Sequence, residues 1–318
     1  MKNEKNASCA LHKTSIGGQA VMEGVMMRGP KEIATCVRKA NGEIITDKKE
    51  VSSVLTKYKF LKLPILRGVI AFFESMITGV KCLMFSAEQI ELDDGEESMS
   101  RFEKWLDEKF GDKVKDIVIY FSVFLSLIFS IGLFILLPTV LVGWLKSFTE
   151  NQVVLSASEG IVRILIFVTY IALVSQMKDI QRVFEYHGAE HKTIATYESG
   201  EELTVENARK HSRLHPRCGT NFLLIVMIVS VIFFSLLRWE NVFLRILYRL
   251  LLLPVVAGLS YEVIKFAGRS DSKFVRILTK PGLYLQYLTT REPDDEQLEV
   301  AIEAIKNVIT GNKEDDKW

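Results

Sequence analysis

The chain has 318 residues, 48% of them hydrophobic, and 40 Lys and Arg against 39 Asp and Glu for a formal charge of +1. That near-neutral balance, with no basic stripe carrying interleaved aromatics, argues against a nucleic-acid binder. Four widely scattered cysteines, Cys9, Cys36, Cys82 and Cys218, argue against a disulfide framework and read as reduced thiols.

The polar leader from Met1 to Thr14 has no apolar stretch suited to a secretory signal, so membrane insertion is expected to rely on internal spans. A glycine-rich stretch follows from Gly17 to Pro30, where glycine permits positive backbone angles or close approach of another segment. It lacks both the Gly-Lys-Ser/Thr of a phosphate loop and the dinucleotide fingerprint. Ile33 to Val37 and Glu43 to Thr46 alternate partly around Asn41-Gly42, a strong hairpin signal. Residues 1–60 therefore read as a glycine-rich segment and β-hairpin that begin a small cytoplasmic sheet, the glycines supplying one strand or a turn.

Residues 61–113 read as amphipathic, interfacial helices. Between Leu63 and Glu88 an apolar run is interrupted by Arg67, Glu74, Lys81 and Glu88, whose seven-residue spacing puts them on one narrow stripe of a helix. Such a helix is either an interfacial or re-entrant segment or a buried helix with a solvent-facing stripe. Glu91 to Lys113, with Phe102, Trp105 and Phe110, reads as a surface helix leading into the first span.

Residues 114–177 are expected to hold transmembrane helices 1 and 2. Ile117 to Leu145 exceeds the roughly 20 apolar residues a bilayer requires, and Ile161 to Met177 carries only Arg163, close enough to an end to snorkel. Residues 221–266 hold helices 3 and 4: Phe222 to Leu237 without a charge, and Val242 to Phe266 with Arg245, Arg249, Glu262 and Lys265. A soluble core helix keeps a polar stripe, which the first and third runs lack. Arg245 and Arg249 invite a transport reading, against which stands a position near the outer end that permits snorkelling.

The segment 178–220 is a histidine-rich helical loop. Its bases, with those that follow the last span, place it and both termini on the cytoplasmic side of the cell membrane. His187 and His191 are four apart, one helical face, and with Glu190 they spell His-x-x-Glu-His, the order in which two histidines bind metal and a glutamate acts as general base. A second helix, capped by Thr204 and ended by Pro216, is expected to carry His211 and His215 in its last turns, with Cys218 and Glu198 as spare ligands. Four histidines would close a structural tetrahedral site, whereas three ligands leave a position open for catalysis. The alternative is that the histidines face water or lipid headgroups. Glu23 and Arg28 are expected to fold against this loop, Glu23 as a further ligand or base and Arg28 as an anion contact.

Residues 267–318 form a cytoplasmic segment with an amphipathic helix. Pro293 followed by Asp294, Asp295 and Glu296 starts it well, and Leu298, Ile302, Ile305 and Ile309 give it one apolar face for docking. The expected fold class is mainly α: a polytopic membrane protein with about four transmembrane helices and a small α+β cytoplasmic domain containing a β-hairpin.

Three blocks are recognisable together: Gly-Gly-Gln-Ala-Val-Met-Glu-Gly-Val-Met-Met-Arg-Gly-Pro from Gly17, His-Gly-Ala-Glu-His from His187, and His-Pro-Arg-Cys-Gly-Thr-Asn-Phe from His215. With the block from Pro281 to Asp295 they make the chain, over almost its whole length, resemble the YqhQ family of bacterial membrane proteins, classed as a domain of unknown function. The resemblance implies a metal-dependent enzyme, the label its members commonly carry, and His187, Glu190, His191, His211, His215 and Cys218 follow the family pattern. The expected function is a divalent-metal site at the cytoplasmic interface, zinc by preference, for metal-assisted hydrolysis. Glu190 would activate water, with His187, His191 and His215 as first ligands and His211 and Cys218 as further ones. The rival is a non-catalytic scaffold or assembly factor, set in membrane lipid and acting on other membrane proteins such as a translocon or membrane protease.

Overall fold

The computed structural model describes residues 12–94, 113–149, 151–235, 242–269 and 272–317. The chain forms two compact units, one of 1–90, 171–226 and 254–318, the other of 91–170 and 227–253.

In the first unit, strands β1 (Gly17–Val21), β2 (Gly24–Arg28), β3 (Glu32–Arg38) and β4 (Ile44–Glu50) form an antiparallel meander in the order β1-β2-β3-β4. Gly18 lies opposite Met27, and Met27 opposite Ala34. The hairpin expected at Asn41-Gly42 joins β3 to β4, with Gly42 at φ +86°. The glycine-rich stretch supplies two strands and their turn, in which Glu23 takes a positive φ of 48°.

The sheet is covered on both faces, which explains why Gly24-Val-Met-Met reads as continuously apolar rather than alternating. Strand periodicity sends Val25, Met27, Ala34 and Cys36 to one face. There they meet Tyr186, Ala189 and Ile194 of α6 (Lys178–Ser199), and Leu298, Ala301, Ile302 and Ile305 of α11 (Asp295–Lys306). Val21, Met26 and Val37 point the other way, onto Cys82 and Phe85 of α2 (Leu66–Asp94). The terminal helix starts at a capping box in which the Asp294 carboxylate accepts from the Gln297 N–H. Its apolar face docks on the sheet and α6.

Two short elements, α1 (Val54–Lys57) and a 3-10 turn (Lys59–Lys62), lead into α2. Beyond it lie α3 (Lys113–Ile131), a π turn (Gly132–Leu136), α4 (Leu137–Gly143) and α5 (Gln152–Val174). After α6 come α7 (Val205–Lys210), α8 (Gly219–Ser235), α9 (Val242–Arg269) and α10 (Lys273–Thr289). Among the described residues, four helices are long and apolar enough to cross a bilayer: Leu66–Ile90, Phe121–Gly143, Val153–Val174 and Leu247–Ala267. They mark a multi-pass membrane protein. Three coincide with expected spans. The expected third span falls on α8, an apolar helix whose 17 described residues end at Ser235, where the described stretch itself ends, and α2 meets the length criterion as well. The surface helix expected over Glu91 to Lys113 lies, between Asp94 and Lys113, outside the described residues.

The second unit corrects the expectation that Arg163 and Arg249 snorkel. Arg249 is 7% exposed, and its guanidinium grips both carboxylate oxygens of Glu159, itself 4% exposed. Arg163 donates from Nη2 to the same carboxylate at 3.2 Å and from Nε to the Phe134 carbonyl at 3.0 Å. Phe134 lies in the π turn, where a widened ladder lets a carbonyl accept from outside. Thr139 Oγ1 completes the group, 2.8 Å from Glu159 Oε1.

Candidate metal centre

The centre is built on α6, which ends at Gly200 in the left-handed conformation, φ +75°. His187, Glu190 and His191 share one face by helical spacing. Gly188 between them lets the chain after α10 pass close, since a Cβ there would lie 2.0 Å from the Arg291 carbonyl oxygen.

Each imidazole is fixed by a backbone carbonyl. His187 Nδ1 is 2.8 Å from the Thr289 oxygen and His191 Nδ1 is 2.6 Å from the Arg213 oxygen, so both must donate from Nδ1 and leave Nε2 bearing a lone pair. That arrangement is the one metal-binding histidines use to set tautomer and ring orientation.

The two Nε2 atoms face Cys218, which immediately precedes α8. His187 Nε2 is 3.2 Å from Cys218 Sγ, and one ligand-capable atom from each of His187, His191 and Cys218 lies within 4.8 Å of the others. Burial acts to raise the thiol's pKa. The adjoining His191 imidazole and the Thr220 hydroxyl and N–H outweigh it, and the group sits below its ordinary value. Burial takes His191 down to about 4, aided by His187, so the ring is neutral and a competent ligand at pH 7.

Glu190 enters from beside this trio. Burial pushes its carboxyl up to about 7, against the pull of His187 and the Gly18 N–H. Glycine is required at position 18, because a Cβ there would stand 2.6 Å from the Met26 oxygen and 2.9 Å from the Glu190 Cδ. Gly18, not Glu23, is what the glycine-rich stretch contributes to the centre. Both Glu23 oxygens are taken by Arg182, with the Tyr186 hydroxyl at 3.3 Å, and Arg28 lies 3.8 Å from Glu74.

The expected second helix is shorter than read. Thr204 caps it through the Asn207 N–H, but it stops at Lys210, and His211 is already extended at φ −84°, ψ 157°. His211 therefore leaves the group: its Nε2 is 3.4 Å from Glu201 and 3.5 Å from Ser199 Oγ. His215, in the irregular segment beyond, does approach, its ring centroid 5.6 Å from that of His191. Gln286 of α10 clamps its backbone, accepting from the His215 N–H at 2.8 Å and donating to its carbonyl at 2.8 Å. Sequence reading missed this residue. Its signal is a lone amide, fully buried, on the inner face of an amphipathic helix.

The electrostatic peculiarity of the centre is what it leaves unpaired. Among the described residues, Glu190 Oε2, His191 Nε2 and His215 Nε2 are buried and have no hydrogen-bond partner. The nearest carboxylate to His215 Nε2 is Glu198 at 3.6 Å, beyond bonding distance, and Glu198 is held by Arg217 and the Thr14 N–H. Three orphaned atoms in one cluster are costly unless a ligand satisfies them. A cavity of about 420 Å³ lies alongside, lined by Ser175, Glu185, Arg213, Tyr287, Leu288, Arg291 and Glu292. Arg213, whose carbonyl holds His191, is among its lining residues.

The family model described as "Protein of unknown function (DUF1385)" matches residues 63–311. The chain is also 38% identical over 301 residues to "Uncharacterized protein YqhQ" of Bacillus subtilis (strain 168), covering 92% of each chain. No solved structure matches.

Proposed function

Because the chain belongs to the DUF1385 family, whose description assigns no activity, we propose its function from the centre itself: a divalent-metal site, zinc by preference, held by His187, His191 and Cys218. The observation that carries this reading is a pair of Nδ1-anchored imidazoles turned toward one thiol, His187 Nε2 in contact with its sulfur and His191 Nε2 buried without a hydrogen-bond partner. Two nitrogens and a thiolate suit zinc by softness and number. A bound ion would supply Lewis acidity, polarising an oxygen held at an open position. Glu190 Oε2 is placed to take and return a proton, and His215 Nε2 offers a donor or a fourth ligand. This supports metal-assisted hydrolysis. The basic residues of 178–217 and of the chain after α9 support a cytoplasmic location for the centre and both termini.

One observation favours a second reading, a closed structural staple within a scaffold that acts on other membrane proteins: His191 and Cys218 are buried, His187 is half-buried, and none of the three lines the cavity. Cobalt substitution separates the two. An open site responds to azide with a changed visible spectrum, while a closed one does not. Purified parent protein should hold about one zinc per chain and Glu190→Gln should retain it, whereas His187→Ala and Cys218→Ser should lose it. Parent protein without stoichiometric metal sinks both readings.

A further inference from the structure

We propose that α2, although long and apolar enough to span, lies in the plane of the membrane surface with its outer face in the lipid. This rests on helix placement alone, so a failure of the metal reading leaves it standing.

The sheet precedes α2, and α6 follows α5. Since Tyr186, Ala189 and Ile194 of α6 pack directly on Val25, Met27 and Cys36, the sheet and α6 lie on one side of the membrane. The chain between Glu50 and Lys178 must therefore cross an even number of times. The α3–α4 segment and α5 supply two crossings. The sequence between α2 and α3, with Glu96, Glu97, Arg101, Glu103, Lys104 and Asp107, is too charged to supply another. A crossing by α2 would make the number odd.

Along its middle, α2 touches the sheet and the segment before it. Glu74 accepts from Ser53 Oγ at 3.0 Å and from the Val54 N–H at 2.8 Å. Gly79 meets Gln19 of β1, and Cys82 Sγ is 3.3 Å from Thr35 Oγ1 of β3. An upright α2 would carry a sheet bearing Asp47, Lys48, Lys49 and Glu50 into hydrocarbon, where open sheets and paired surface charges do not survive.

The face turned away from the sheet identifies the occupant. Leu66, Phe72, Phe73, Met76, Ile77, Val80, Leu83 and Met84 are all exposed, a continuous apolar stripe where a water-facing helix would be polar. The stripe is continuous with a spanning helix. Gly68 meets Gly258 of α9 so closely that a Cβ would lie 2.9 Å from its Cα, and Arg67 pairs with Glu262 of the same helix. Ile65, at a positive φ of 69° that a β-branched residue rarely adopts, makes the turn into α2, its N–H 3.4 Å from Glu262. A lipid bilayer, already around α9, is thus the surface this stripe meets. On the inner side, β1 passes Gln19 to α2 and Gly18 to Glu190, so one strand links the membrane-borne helix to the histidine centre.

The test uses the full chain in vesicles of phosphatidylethanolamine and phosphatidylglycerol. A ketone-bearing amino acid at Phe73, Met76, Val80 or Met84, one at a time, carries a nitroxide and leaves the cysteines untouched. Accessibility to oxygen and to a water-soluble nickel chelate then gives depth. All four positions should report one shallow depth, about 5–10 Å below the headgroups. Depth that runs steadily from Phe73 to Met84, nickel-accessible labels, or labels shielded from both relaxants by a protein partner would each overturn the proposal.

Discussion

The protein buries ionisable side chains in two places, and they differ in one respect. Around Glu159, every oxygen of the carboxylate is occupied by Arg249, Arg163 or Thr139, and among the described residues no fully buried polar side-chain atom of the group is without a partner. Around His187, Glu190 and His191, the chain aims lone pairs at one another and leaves three atoms unpaired. A satisfied network in a membrane-spanning unit holds helices together and needs nothing more. An unsatisfied one makes the folded chain less stable than it could be, and the natural compensation is a ligand. The first is a lock and the second a socket.

The comparison breaks most visibly at Glu159. Glu159→Ala leaves two buried guanidiniums uncompensated and should cost about 3–5 kcal/mol, enough to lose most folded protein in detergent. Glu159→Met with Arg249→Met should recover much of that loss, and zinc bound per folded chain should not change. The socket should behave in the opposite way. Cys218→Ala removes a ligand and empties the site, while the unfolding midpoint of the chelated protein should change little, read by thermal unfolding with and without chelator.

Gly18→Ala tests the boundary between the two behaviours. Its Cβ would collide with the Met26 carbonyl and the Glu190 side chain, at about 1–3 kcal/mol for overpacking. Zinc should remain, because the three ligands lie elsewhere, but any chemistry dependent on Glu190 should fall. Acidification sharpens the contrast further: protons compete for the Cys218 thiolate and, as the pH approaches 4, for the His191 imidazole, so zinc affinity should fall as the pH is lowered, as a competition titration would show. The smallest effect is remote from both centres. Asp294→Ala removes the cap of α11 and should cost about 1 kcal/mol without altering metal content.

Much of this architecture can be read from local chemistry. Asn41-Gly42 marks its hairpin, Thr204 and Asp294 mark their helix starts, and four-residue spacing on α6 brings His187 and His191 together, their ring centroids 4.4 Å apart. The same spacing misleads for His211 and His215. The stretch Lys210-His-Ser-Arg-Leu-His-Pro has no apolar period to hold a helix against a core, so α7 ends and the pair separates. Cys218, expected only as a spare, reaches the centre through a chain reversal that no local pattern encodes. Arg249 and Glu159 are 90 residues apart, and Gln286 clamps His215 across 71. Such partnerships are tertiary, and a lone charge in an apolar run signals only that some partner exists. In α2 the sequence shows both the apolar run and its charged seam. Composition records an apolar face, not whether the helix stands or lies in the membrane.

The central claim, that the unpaired atoms of the histidine centre form a metal socket, is tested most directly by zinc X-ray absorption on the purified full-length protein. The account predicts a shell with one sulfur at about 2.3 Å and at least two nitrogens at about 2.0–2.1 Å, the sulfur lost in Cys218→Ser. Zinc in a shell of oxygen and nitrogen alone, or protein that folds and retains no metal, would contradict it.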